Sequence, residues 1–330
     1  MTYSLSVAQR HVVLVGAGPR TAATIAELRT EGATVTVVAE ALDATLEDLA
    51  DRGHVRWARS LGPDLIASAD VLIRETVAGP TDQHSSTALG SVTLVGGGPG
   101  DPGLMSLAGR EAIEKADVIV TDRLVPHAVL AWAGPDTEII DVAKVPHGRF
   151  TPQQEINRIL VEAARSGRHA VRLKGGDNFV FGRGGEELLA CAEAGVPARV
   201  IPGLSSALAV PAAAGIPLTH RGLTQGFTVV SGHVAPDDPT SSVDWDGLAT
   251  GGLTIVVLMG VRQLGAITRR LVAAGMASST PAAIIADGTL PSQRVVRSTV
   301  ATLADAAAAE GIGAPAITVI GAVAALELAP

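Results

Sequence analysis

Asp177 stands at the centre of the densest chemical pattern in the chain. It closes Gly175-Gly176-Asp177 directly after an apolar run at 171–173, and a second glycine cluster, Gly182, Gly184 and Gly185, leads on to Glu186 and Glu187. Glycine lets a backbone approach a ligand closely, and a carboxylate beside it can hold hydroxyls or a cation. The block therefore has the composition of a nucleotide-like pocket. The same residues also suit two tight turns around a parallel sheet, and the spacing alone leaves both readings open.

Alternating strand and helix patterns must position these loops. Residues 11–15 read as a buried strand ending in Gly16-Ala17-Gly18, followed by a helical pattern over 21–30 and a valine- and threonine-rich strand over 33–39. Another strand is expected at 69–73, and the polar, turn-forming stretch 79–86 reads as a linker. The theme restarts at Ser91: a strand at 92–95, the loop Gly96-Gly-Gly-Pro-Gly-Asp-Pro-Gly103, a helix over 104–115 and a strand over 117–121. The two starts look alike, but their continuations differ, which points to convergence on one strand-turn solution. Thr151, Pro152 and Gln154 predict a capped helix start with a capping-box glutamine. Ile156, Ile159, Leu160 and Ala163 line one face of that helix, Ser166-Gly167 ends it, and a strand at 170–173 delivers the chain to Gly175. Beyond 201–206 an alanine-rich helix is expected, then strands at 227–231 and 254–259, a helix at 261–274, and strands at 282–286 and 316–320. The alternation predicts an α/β class, with a small Rossmann-like βαβ domain over 1–85 and a larger domain over 91–330. Two lobes, at about 91–200 and 203–330, would leave a cleft between them.

With 330 residues, 47% of them hydrophobic, the chain can bury sizeable cores. A net charge of −8 and only 2% aromatic residues argue against nucleic acid as the main partner. No apolar run reaches the length of a membrane span and no secretory signal is evident, so a cytoplasmic location away from the membrane is expected. Cys191 is the single cysteine and the eight histidines show no ligand spacing, so no metal site is expected. An anionic ligand would need a local basic cleft. The lysines are Lys115, Lys144 and Lys174, two of them beside the motifs below, and the other basic residues are arginines suited to paired hydrogen bonding with carboxylates.

From Ser91 onward the chain resembles the uroporphyrinogen-III C-methyltransferases, within the S-adenosylmethionine-dependent tetrapyrrole methylases. The resemblance rests on an ordered set of motifs: Val95-Gly-Gly-Gly-Pro-Gly-Asp-Pro-Gly103, Asp122-Arg-Leu-Val125 and the block from Arg172 to Glu187. Ile201-Pro-Gly-Leu-Ser-Ser206, Gly215-Ile-Pro-Leu-Thr-His220, Leu258-Met-Gly260 and Asp287-Gly-Thr289 continue it. The resemblance implies a two-lobed fold with S-adenosylmethionine held in the interlobe cleft. It also implies double methylation of uroporphyrinogen III, at C2 and C7, to precorrin-2 with release of S-adenosylhomocysteine, in sirohaem or cobalamin biosynthesis.

On that resemblance Pro99, Gly175, Gly176, Asp177, Val180, Ser205, Ser206, Met259 and Gly288 match cofactor-contact positions. Met259 could equally fill a core at a strand end. Asp122 and Lys144 match positions proposed as proton acceptor and donor; Asp122 could instead cap a turn, and Lys144 could bind a substrate carboxylate. The eight carboxylates of uroporphyrinogen III demand a focused positive cleft, for which Arg123, Arg149, Arg172, Lys174, Arg183, His220 and Arg221 are candidates beside Lys144. Some of these arginines could simply pair with Glu186 and Glu187. Asn178 replaces the family's usual proline, which predicts a less rigid loop. Val145-Pro146-His147 follows Lys144 where the family usually has a basic residue, which puts substrate contacts there in doubt. The family is typically homodimeric.

The amino-terminal segment resembles the start of the NAD-dependent module fused to this methyltransferase in sirohaem synthases. Thr21 replaces the third fingerprint glycine and the segment is short, so NAD binding is not expected and a structural or vestigial role is. Alternatives are a bifunctional enzyme that also oxidises precorrin-2 with NAD, a methylase of another corrin precursor, and a non-catalytic tetrapyrrole carrier.

Overall fold

The computed structural model describes residues 7–18, 20–74, 89–143, 151–326 and 328. The expected linker at 79–86, Lys144, the sequence 145–147 and Arg149 lie outside them. The chain folds as two units, Met1–Gly98 with Pro102–Gly203, and Pro99–Asp101 with Leu204–Pro330.

The first unit opens with β1 (His11–Val15), α1 (Thr21–Thr30), β2 (Thr34–Val38), α2 (Ala44–Asp51), β3 (Arg56–Ala58), α3 (Pro63–Ser68) and β4 (Val71–Arg74). The strands form one parallel sheet in the order β3-β2-β1-β4. Val12, Leu14, Val35 and Val37 bury against Ile25 of α1 and Leu46 of α2. Parallel strands covered by helices need near-continuous apolar sequence, which is what 12–15 and 35–38 supply. Asp43 caps α2, its carboxylate accepting the Leu46 N–H at 2.8 Å.

A second parallel sheet follows, built by β5 (Ser91–Gly96), α4 (Leu107–Glu114), β6 (Val118–Thr121), a 3₁₀ turn over His127–Trp132, β7 (Glu138–Asp141), α5 (Gln153–Arg165), β8 (His169–Lys174), α6 (Gly184–Glu193) and β9 (Ala198–Ile201). Its strand order is β7-β6-β8-β5-β9. The period of two along the strands sorts their side chains onto two faces. Val95, Ile119, Val171 and Leu173 pack on α4 and the 3₁₀ turn, while Val92, Leu94, Val118, Val120 and Ala170 pack on α5 and α6. The predicted capping box does not form: α5 starts at Gln153, Pro152 takes the cap position, and no side chain caps the helix. Gln153, the first helical residue, donates its amide to Asn157 one turn on at 2.9 Å and to Glu187 at 3.3 Å.

The second unit contains α7 (Ser206–Ala213), β10 (Phe227–Ser231), α8 (Trp245–Thr250), β11 (Thr254–Leu258), α9 (Leu264–Ala273), β12 (Pro281–Ala286), β13 (Arg294–Thr299), α10 (Leu303–Ala309) and β14 (Ala316–Ile320). Its sheet is mixed, in the order β10-β11-β14-β12-β13, with β14 antiparallel to both neighbours. β11 and β12 therefore point the same way and end on the same edge. Ile255, Val257 and Ile284 pack on α9, and Val256, Ala283 and Ile285 on α7.

The amino-terminal sheet is docked on its neighbour within the first unit. Ala23 of α1, 2% exposed, joins the core formed by Val129, Leu130 and Ala133. Arg20 donates to the Gly134 carbonyl at 2.5 Å. Thr45 donates to Asp141 at 2.7 Å, and Asp48 pairs with Arg123 at 2.7 Å.

Candidate active site

All five strands of the second sheet run parallel, so the loops after β5, β6, β8 and β9 leave from one edge. Ligands of parallel α/β sheets bind at that edge, where strand order reverses. The glycines there pack backbone on backbone. Gly98 and Gly176 exchange two hydrogen bonds, at 3.1 and 2.6 Å. A Cβ on Gly203 would stand 2.3 Å from the Gly176 carbonyl oxygen, and one on Gly175 would stand 2.2 Å from the Leu124 carbonyl oxygen. Gly176 also adopts a φ of 67°, open to glycine at little cost. Loop-on-loop packing thus accounts for much of this glycine pattern.

Asp177 sits at the head of the loop. Its Oδ1 accepts the N–H groups of Phe179 and Val180, at 2.8 and 3.0 Å, and shapes the turn. Val180 is exposed. Asn178 is fully buried and donates its amide to the Ile201 carbonyl at 2.8 Å, while its own carbonyl accepts the Gly184 N–H. The position expected to loosen the loop ties it instead to the end of β9 and the start of α6.

Asp122 follows β6. Its Oδ2 accepts from Arg172 at 2.9 Å and its Oδ1 from the Leu124 N–H at 3.2 Å, with the side chain 30% exposed. Turn capping and an outward-facing carboxylate therefore coexist. Arg172 and Lys174, both expected at substrate carboxylates, are buried, and each donates to Glu187 Oε1, at 2.9 and 3.1 Å. Arg172 further donates from Nη1 to the carbonyls of Val120 and Leu173. Burial opposes its charge, but Asp122 and Glu187 outweigh burial and hold its pKa above the ordinary value. Burial, then Arg172, push Lys174 below its ordinary pKa against the attraction of Glu187. The alternative that an arginine here pairs with Glu187 is the one the structure shows for Arg172, and Lys174 shares the same carboxylate oxygen. The clue in sequence is that Glu187 closes the block that Arg172 and Lys174 open; burial of all three is set by the fold.

The remaining basic candidates fall in different places. Arg123 is engaged by Asp48. Arg183, at φ 58°, makes an exposed two-pronged pair with Glu186, both contacts at 2.8 Å. His220 and Arg221 lie exposed on the second unit, where the His220 backbone pairs with Thr224.

The second unit holds the other expected cofactor positions at a single strand edge. Ser205 caps α7, its hydroxyl accepting the Ala207 N–H at 3.3 Å, and Ser206 begins the helix. Met259, just past β11, is 47% exposed and adopts a φ of 58°, so it is no core filler. Asp287 and Thr289 take the same left-handed conformation past β12, at 51° and 69°. Such backbone is costly outside glycine and collects at functional edges. Between them, Gly288 has no room for a Cβ, which would lie 2.3 Å from Val210 of α7. The tripeptide beginning at Pro99 lies against the same turn, with the Asp101 N–H donating to Thr289 Oγ1 at 3.1 Å. Among the described residues no cluster of histidine, cysteine or acidic side chains could hold a metal, and no helix is long and apolar enough to cross a membrane.

Residues 91–304 match the tetrapyrrole (corrin/porphyrin) methylases, and 4–87 match a putative NAD(P)-binding family. The chain belongs to the tetrapyrrole methylase family. It is 47% identical over 232 residues to the S-adenosyl-L-methionine-dependent uroporphyrinogen III methyltransferase of Methanosarcina barkeri, covering 70% of this chain and 91% of that protein. It is 44% identical over 259 residues to a siroheme synthase of Neisseria meningitidis, covering 78% of this chain but 53% of the relative. The chain thus spans about half the length of the siroheme synthase it matches. The uroporphyrin-III C-methyltransferase of Thermus thermophilus, solved with S-adenosyl homocysteine, superposes with a TM-score of 0.59 at 39% identity, covering 71% of this chain and 98% of that one.

The amino-terminal sheet fits a dinucleotide only in part. Gly16 takes a φ of 108° after β1, and Glu40 lies exposed beyond β2, where a ribose-binding acid would stand. The Gly18 N–H, however, donates to Thr21 at 2.8 Å. Arg20 before α1, Ala23 on α1 and Thr45 and Asp48 on α2 carry the contacts to the methylase sheet.

Proposed function

We propose that the chain transfers methyl groups from S-adenosylmethionine to C2 and C7 of uroporphyrinogen III, releasing precorrin-2 and S-adenosylhomocysteine. The observation that carries this reading, beyond family membership, is Asp122 held at the sheet edge by Arg172, itself anchored on buried Glu187. S-adenosylmethionine supplies an already activated sulfonium methyl, so the chain's work is alignment, exclusion of water and handling of a proton. The cofactor is assigned to Pro99, Gly175, Gly176, Asp177, Val180, Ser205, Ser206, Met259 and Gly288. Their backbone-rich edges and the carboxylate of Asp177 suit a nucleoside with hydroxyls. Asp122 is assigned as proton acceptor and Lys144 as donor.

Arg149, Arg183, His220 and Arg221 are the cations assigned to substrate carboxylates, with Arg172 and Lys174 acting behind them through Glu187. A net charge of −8 disfavours nucleic acid as a partner, and the substrate carboxylates have to be met by this local set of cations. The working form is a cytoplasmic homodimer, which light scattering would test. Anaerobic incubation with uroporphyrinogen III and methyl-labelled S-adenosylmethionine should give a product carrying two labelled methyl groups. A product with no label would sink the reading.

A second reading, NAD-dependent oxidation of precorrin-2, is favoured by the NAD(P)-binding match over 4–87 and opposed by the docked helix starts. Formation of NADH from precorrin-2 would decide for it.

A further inference from the structure

The loop after β6 is held at four points. Arg172 holds the Asp122 carboxylate, and Gly175 leaves room for the Leu124 carbonyl. His127 approaches the Arg123 carbonyl through Nε2 at 3.2 Å. The fourth point comes from the amino-terminal domain, where Asp48 Oδ1 accepts from Arg123 at 2.7 Å. Asp48 also faces Arg52 on its own helix, at 3.5 Å, so the carboxylate is pre-placed between two guanidinium groups. It is 24% exposed and Arg123 33%, enough shielding from solvent for the pair to fix geometry. Three residues before Asp48 on α2, Thr45 donates to Asp141 at the end of β7. One short helix thus grips the chain leaving both β6 and β7.

We infer that Asp48 is a positioning residue for methyl transfer, acting through Arg123 to fix the loop that presents Asp122. This rests on the functional reading above. The amino-terminal domain is then a working part of the methyltransferase, with the helix starts of a dinucleotide-type fold turned to holding a neighbouring loop.

The test uses the full chain and the variants Asp48→Ala, Arg123→Ala, their double variant, and the charge exchange Asp48→Arg with Arg123→Asp. Asp48→Ala should lower kcat about tenfold, the scale expected when a reacting group loses its alignment, while S-adenosylhomocysteine binding by calorimetry stays within about twofold. The double variant should be no slower than the worse single one, and the charge exchange should recover part of the loss. Hydrogen exchange over 122–126 should rise in Asp48→Ala. Wild-type kcat and KM in folded Asp48→Ala, additive single effects, or unchanged exchange over 122–126 would each overturn the proposal. A wild-type chain that transfers no methyl group overturns the functional reading instead, and the exchange measurement still decides whether Asp48 holds the loop.

Discussion

At the residue scale the site is dominated by a buried charge cluster rather than by exposed cations. Glu187 compensates both Arg172, which Asp122 also pairs, and Lys174. Glu187→Ala should therefore cost about 3–5 kcal/mol, the usual result of breaking a buried pair, measured by chemical denaturation. Wild-type stability would show that the two cations find other partners. His54 gives the clearest pH dependence. Burial, then Arg29 and Arg52, push its pKa from 6.5 down to about 4, against Asp48. A base with a depressed folded-state pKa contributes stability that is fully present above pH 6.5 and is lost as pH falls through about 4. Denaturation at a series of pH values should show that loss in the wild type, with a smaller loss in His54→Asn.

At the scale of elements, the glycines divide by what surrounds them. Gly184 and Gly185 open α6, yet a Cβ on Gly184 would meet the Asn178 carbonyl oxygen at 2.6 Å, whereas one on Gly185 meets nothing within 4 Å. Gly185→Ala should stabilise the protein by roughly 0.5–1 kcal/mol through helix propensity, while Gly184→Ala should destabilise it. Equal effects on the melting temperature would contradict this account of the loop. The local patterns that were legible in sequence lie at the same scale. The strands read at 92–95 and 170–173 and the apolar face of α5 are real elements because each is buried against the layers that cover it. β3, β7, β9, β13, α2, α3, α8 and α10 were not foreseen. β3, β9 and β13 are half-exposed and carry arginine, so their periodicity is weak; α10 is nearly all alanine, which packs on either face.

At the scale of the molecule, the amino-terminal domain is bound to the methylase sheet through a shared core at Ala23 and three polar contacts. We read this domain as a support for the methylase sheet. Saturating NAD should accordingly leave the melting temperature unchanged. S-adenosylhomocysteine at a hundredfold excess over its Kd should stabilise the protein by about 2.7 kcal/mol. A thermal shift with NAD would reopen the second reading.

The sequence by itself determined the α/β class, the strand ends that carry the glycine loops, and membership of a methylase family, because these follow from local periodicity and ordered motifs. Tertiary structure alone decided which charges work together. Asp122 and Arg172 lie 50 residues apart, Arg172 and Glu187 15, and Arg123 and Asp48 75. A guanidinium has the same side chain whether it faces a substrate carboxylate or a buried glutamate. Its partner is set by which strand ends and helix starts the fold brings within hydrogen-bonding reach, and by how much water remains there.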